Sequence, residues 1–124
     1  MKRFMLLLVI LLALPLLMAP DAIVLNSLTA NPNNNNGQIK GEGSYSVDPT
    51  RSEVNVSLHC RSSTTQQVYS AYLYGSADEP NWYKIATNLP APDTYDCWAR
   101  LKTLDQNMMI HTTDSNVSGV FLPQ

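Results

Sequence analysis

Leu89-Pro90-Ala91-Pro92-Asp93-Thr94-Tyr95-Asp96-Cys97-Trp98-Ala99-Arg100-Leu101 is the stretch that decides how this chain folds. Two prolines make a stiff corner, and from Thr94 to Thr103 strict alternation takes over. Tyr95, Cys97, Ala99 and Leu101 fall on one face, Trp98 and Arg100 on the other. That is a strand with one side on a core and one side in water.

The same period appears upstream. Val54, Val56, Leu58 and Cys60 share one face, while Asn55, Ser57, His59 and Arg61 share the opposite one. Ile39, Gly41, Gly43, Tyr45 and Val47 line another strand. Ile23–Ala30, Val68–Tyr74, Trp82–Thr87, Met108–Thr113 and Val117–Leu122 are expected as further strands. In Val68–Tyr74 the inward parity stays open between Tyr69, Ala71, Leu73 and Val68, Tyr72, Tyr74. The Asn-rich run at 31–37 reads as an exposed loop, because Asn and Gly tolerate left-handed backbone. No stretch keeps a helical period, so the chain is expected to be all-β.

Lys2 and Arg3 precede a nearly unbroken apolar run from Phe4 to Ala19, the pattern of a secretory signal. The expected organisation is a signal peptide over 1–22, with an uncleaved anchor as the alternative, and one domain over 23–124. Pro20 after Ala19 makes a cut there unfavourable, and a cut after Ala22 puts Pro20 where a small residue is wanted. Without Lys2 and Arg3, six basic side chains face ten acidic ones. Such a chain lacks the basic stripe that nucleic-acid binding needs.

The chain has two cysteines, Cys60 and Cys97, each on the apolar face of its strand. In an exported chain they are expected to form a disulfide, the alternative being two buried thiols.

Around Cys97 the residues resemble a family. Tyr95-Asp96-Cys97 has the spacing of the tyrosine corner, in which a Tyr two residues before the second cysteine bonds back to the backbone. Leu89 to Leu101 is similar to the E–F corner and F strand of immunoglobulin and fibronectin type III domains. The resemblance implies an immunoglobulin-like or fibronectin type III-like sandwich of about seven antiparallel strands. It implies Cys60 on strand B, Cys97 on strand F, and a bridge joining the two sheets. No Trp follows Cys60 on the third strand, so Tyr72 or Tyr74 is left to fill that place.

Catalysis needs converging groups, and the sequence shows none. His59 and His111 read as surface histidines, and neither has a neighbour at metal-ligand spacing. Asp78, Glu79, Asp93 and Asp96 are a set that calcium would use, but loop solvation explains them equally well. No cofactor and no metal are expected. Trp98 and Arg100 are the expected binding anchors, with Trp82, Tyr72 and Tyr74 as further candidates. Asn55-Val56-Ser57 and Asn116-Val117-Ser118 are N-glycosylation sequons. The expected function is a secreted, non-enzymatic binding or adhesion module contacting an extracellular protein. A carbohydrate-binding accessory domain is the alternative, and a small secreted inhibitor a weaker one.

Overall fold

The computed structural model describes residues 20–33, 36–74 and 82–124, with the side chains of Asn33 and Tyr74 outside it. The leader and the expected loop carrying Asp78 and Glu79 lie outside the described residues. Within them no helix is long and apolar enough to cross a membrane.

The strands run β1 (Ala22–Asn33), β2 (Asn36–Ser46), β3 (Ser52–Ser62), β4 (Val68–Tyr74), β5 (Trp82–Pro90), β6 (Asp93–Leu104), β7 (Ile110–Asp114) and β8 (Ser118–Leu122). They form two antiparallel sheets. One has the order β1-β2-β5. The other has the order β4-β3-β6-β7, with β8 also on β6. β7 pairs with Arg100–Leu104 and β8 with Asp93–Cys97, so the two follow one another along the same edge of β6.

The expected inward faces are the buried ones. Ile39 and Tyr45 of β2, Val54, Val56, Leu58 and Cys60 of β3, and Tyr95, Cys97, Ala99 and Leu101 of β6 form the core. Tyr69 and Ala71 are the residues of β4 that pack against it, which closes the open parity. A Cβ on Gly43 would stand 1.9 Å from the Val24 carbonyl oxygen and 2.5 Å from the Tyr83 hydroxyl. A bare backbone there lets the Tyr83 hydroxyl cross β2 and donate to Val24 O at 2.7 Å.

Two expectations are corrected. Cys60 and Cys97 do form a disulfide, but they face each other directly across β3 and β6 in one sheet, with Cα atoms 4.1 Å apart. The bridge is therefore a rung within a sheet and not an inter-sheet tie. The cause is strand count: a full strand, β2, precedes the one bearing Cys60 and joins the other sheet. The Asn-rich stretch is mostly paired as well, through Asn31↔Gln38, Pro32↔Gly37 and Asn33↔Asn36. Asp21, just ahead of β1, is also tied into the sheets. Asp21 accepts hydrogen bonds from the Asp48 backbone N–H at 2.7 Å and from the Thr103 hydroxyl at 2.5 Å. It fastens the start of β1 to the β2–β3 turn and to the end of β6.

β7 and β8 are separated at Ser115–Val117, and the break has a use. Asn116 turns its amide onto β1, accepting the Leu25 N–H at 3.0 Å and donating to the Leu25 carbonyl at 3.1 Å. There β1 slips register between Leu25 and Ser27. The side-chain amide acts as a piece of strand, so the nitrogen a glycan would occupy in this sequon is already hydrogen-bonded.

Candidate functional site

The outer face of the larger sheet is built by register. Alternation turns Arg61, His59 and Ser57 of β3 outward, and with them Trp98 and Arg100 of β6. Pairing then sets His59 between Ser70 and Trp98, and Ser57 between Tyr72 and Arg100. Arg100 in turn lies opposite Asp114 of β7.

These neighbours close on one another. The His59 ring stacks on Trp98 with centroids 5.6 Å apart and meets Tyr72 edge-on at 6.2 Å. The Arg61 guanidinium lies over the Trp98 ring, 5.3 Å from its centroid, a cation–π arrangement. Arg100 is held in two-pronged fashion by Asp114, at 2.7 and 3.1 Å. That hydrogen bond raises the Arg100 pKa and lowers that of Asp114.

His59 is only 7% exposed, which corrects the expectation of a surface histidine. Its Nε2 shares a hydrogen with Ser57 Oγ and its Nδ1 with Ser70 Oγ, both at 2.7 Å. Burial, followed by the positive charge of Arg100, lowers its pKa, and Asp114 opposes them. The His111 side chain is 41% exposed and bonds through Nε2 to Asp105 at 2.7 Å.

The Ser57–His59 pair has the distance of a nucleophile and its base, but not the setting. Ser57 is 1% exposed, so its oxygen has no open side for a substrate. Behind His59 stands the Ser70 hydroxyl, where a carboxylate would be needed to stabilise an imidazolium. The arrangement orders a surface and does not activate an oxygen.

Of the residues expected to bind, Trp98, Arg100 and Tyr72 come together here. Tyr72 is 62% exposed, while Trp98 is half-buried by its neighbours. Trp82, 53% exposed, starts β5 in the other sheet, away from this cluster. The Tyr74 side chain lies outside the described residues. Arg61, His59, Ser57 and Ser70 belong to the site but were not among the candidates. Their outward parity was readable; that β3 and β6 are neighbours was not.

Tyr95 makes the expected corner, its hydroxyl donating to the Pro90 carbonyl. Burial, with help from Asp93 and Tyr69, pushes its pKa up to about 12. Asp93 accepts hydrogen bonds from Ser62, Ser63 and Thr64, so it ties the β3–β4 turn to this corner. The hydroxyl of Ser62 leads the effects that lower its pKa. Among the described residues no group of three or more His, Cys, Asp or Glu could hold a metal ion.

No family model matches the chain, and no curated protein matches it. The solved structures that match include a Bordetella pertussis protein designated ApaA, 8% identical, with a TM-score of 0.48. The match covers 85% of this chain and 97% of that one. A likeness this distant carries no activity across.

Proposed function

We propose that the chain is an exported, non-enzymatic binding module with an immunoglobulin-like or fibronectin type III-like arrangement, which contacts a protein through the outer face of its larger sheet. The strand order supports the arrangement. With β1, β2 and β5 as A, B and E, and β3, β6 and β7–β8 as C, F and G, the sheets divide as in such domains. β4 then takes the position next to C, and the disulfide joins C to F. The Tyr95 corner bond supports it too. An intramolecular disulfide is compatible with an extracellular or periplasmic location.

One observation carries the functional reading. Trp98, Tyr72, Arg61 and the Arg100–Asp114 pair form a single preordered patch on an open sheet face. Aromatic and Arg side chains that need no reordering lose little entropy on docking. A flat, mixed aromatic and charged face fits a protein with a complementary polar rim. The sugar reading has less support, because His59 and Arg61 already lie against the indole that a sugar ring would stack on.

The test is capture from the native extracellular environment with the wild-type chain, Trp98→Ala, Tyr72→Ala and Trp82→Ala. We expect the first two variants to lose a partner at least tenfold and Trp82→Ala to keep it. Retention by a folded Trp98→Ala variant overturns the reading. A Trp98 emission shift on adding oligosaccharides, with no protein captured, would put the sugar reading in its place.

A further inference from the structure

The two ends of the sandwich differ in polarity. At one end lie the turn Ser62–Gln67 and the corner at Asp93, where hydroxyls and a carboxylate satisfy one another. At the other end lie the start of β1, the β2–β3 turn and the β6–β7 tip. That tip presents Met108, Met109 and Ile110, which are 75, 62 and 68% exposed. Elsewhere among the described residues the exposed large apolar side chains, such as Val68 and Phe121, sit on strands, apart from Val117 in the β7–β8 break.

The tip is built, not slack. The Asp105 carboxylate accepts from the backbone N–H groups of Asn107 and Met109, and also bonds His111. Backbone bonds run from Asp105 N to Met109 O and from Met108 N to Asp105 O. Met108 has φ 62°, a left-handed conformation that Gly or Asn adopts at less cost. A loop made only for water has no need of methionine there.

The apolar leader joins the fold at this same end. Asp21 is fixed to Thr103, and Thr103 pairs with His111, the residue next to Ile110. Between Asp21 and Ala19, the last residue of the apolar run, stands only Pro20. One extended residue spans about 3.5 Å, so an embedded leader leaves this end no room to stand off a bilayer. The run from Phe4 to Ala19 is also short for a span, so it offers no spare length to lift the domain away.

We infer that, in the chain that keeps its leader, the domain sits with this end on the bilayer and the Met108–Ile110 tip seated at the headgroup–acyl boundary. Three apolar side chains alone bind lipid weakly; a covalent tether makes their insertion intramolecular. The inference rests on leader retention. The sheet face of the proposed partner site is a separate surface, and its variants test it independently.

The experiment uses the full chain in phosphatidylcholine vesicles with acyl chains brominated near the headgroup. Probes are Met109→Trp and, at the opposite end, Gln67→Trp, each with Trp82→Phe and Trp98→Phe. We expect the probe at 109 to be quenched at least twofold and the probe at 67 to be unquenched. Equal quenching overturns the inference. So does a blue-shifted but unquenched probe at 109, which would place the leader itself or a second copy over the tip. A second measurement needs no substitution. Aqueous peroxide transfers one oxygen to a thioether sulfur, giving the sulfoxide and water. In the vesicle-bound native chain, Met108 and Met109 should oxidise at least tenfold more slowly than free methionine; equal rates overturn the seating.

Discussion

The two sheets share one core yet treat their outer faces in opposite ways. In the β1-β2-β5 sheet, alternation holds to the surface: Ser44, Ser46, Trp82, Lys84 and Asn88 point outward and are exposed. In the β4-β3-β6 sheet the outward residues Ser57 and His59 are buried. The backbone period is the same in both. The difference lies in what stands opposite. Ser44 and His59 each lie between two strands, but Ser44 stays exposed between Val24 and Trp82, whereas His59 is covered by the Trp98 ring on one side and bonded to Ser70 on the other. Period-two reading sorts side chains by face. Whether a face is wet depends on cross-strand partners.

The largest effect that separates the sheets is expected from the disulfide, which only the larger sheet has. Its partners are 37 residues apart, so chain-entropy arithmetic assigns it about 3–4 kcal/mol. Reduction should lower the urea midpoint accordingly. Because the bridge is a rung between β3 and β6, hydrogen exchange should rise first at those strands and later at β1 and β2. Equal acceleration in both sheets would show that the rung supports the whole core and not its own sheet.

The two tryptophans sharpen the contrast at a smaller scale. Trp98 is half-buried by His59 and Arg61, and Trp82 is more than half exposed. Trp98→Ala should cost about 2 kcal/mol through lost apolar contact and stacking. Trp82→Ala should stay within about 0.5 kcal/mol. Thermal unfolding of the two variants decides it. Equal losses would erase the distinction between a covered and an open outer face.

What was legible in the sequence follows the same line. Each main strand was readable, because alternation at β2, β3 and β6 is a local signal. Tyr95 and its corner bond were readable, because the partner, Pro90, is only five residues away. Pairing of the cysteines was readable from their shared inward parity. Which sheet holds them was not, since that depends on where β2 goes. Arg61 and His59 were visible as outward residues, but their contact with Trp98 needs the β3–β6 register, which long-range pairing sets. The Asn116–Leu25 bond joins residues 91 apart and leaves no local trace.

The smallest expected effect is titration of His59, and its sign is fixed by burial. The folded pKa lies below the ordinary value of 6.5, because removal from water and the nearby Arg100 disfavour the imidazolium. Below pH 6.5 the unfolded chain therefore takes up a proton that the folded chain refuses. Stability is complete above 6.5 and falls as pH drops toward the folded pKa, by at most about 1.4 kcal/mol per unit for one proton. Asp93 and Asp114 have lowered pKa values, so their contribution is present above the ordinary carboxylate value of 3.8 and is lost only below it. Two acid steps should thus appear in urea midpoints measured against pH. His59→Gln should abolish the upper step and leave the lower one. An upper step that survives the substitution would mean that the covered face is not what makes the larger sheet sensitive to weak acid.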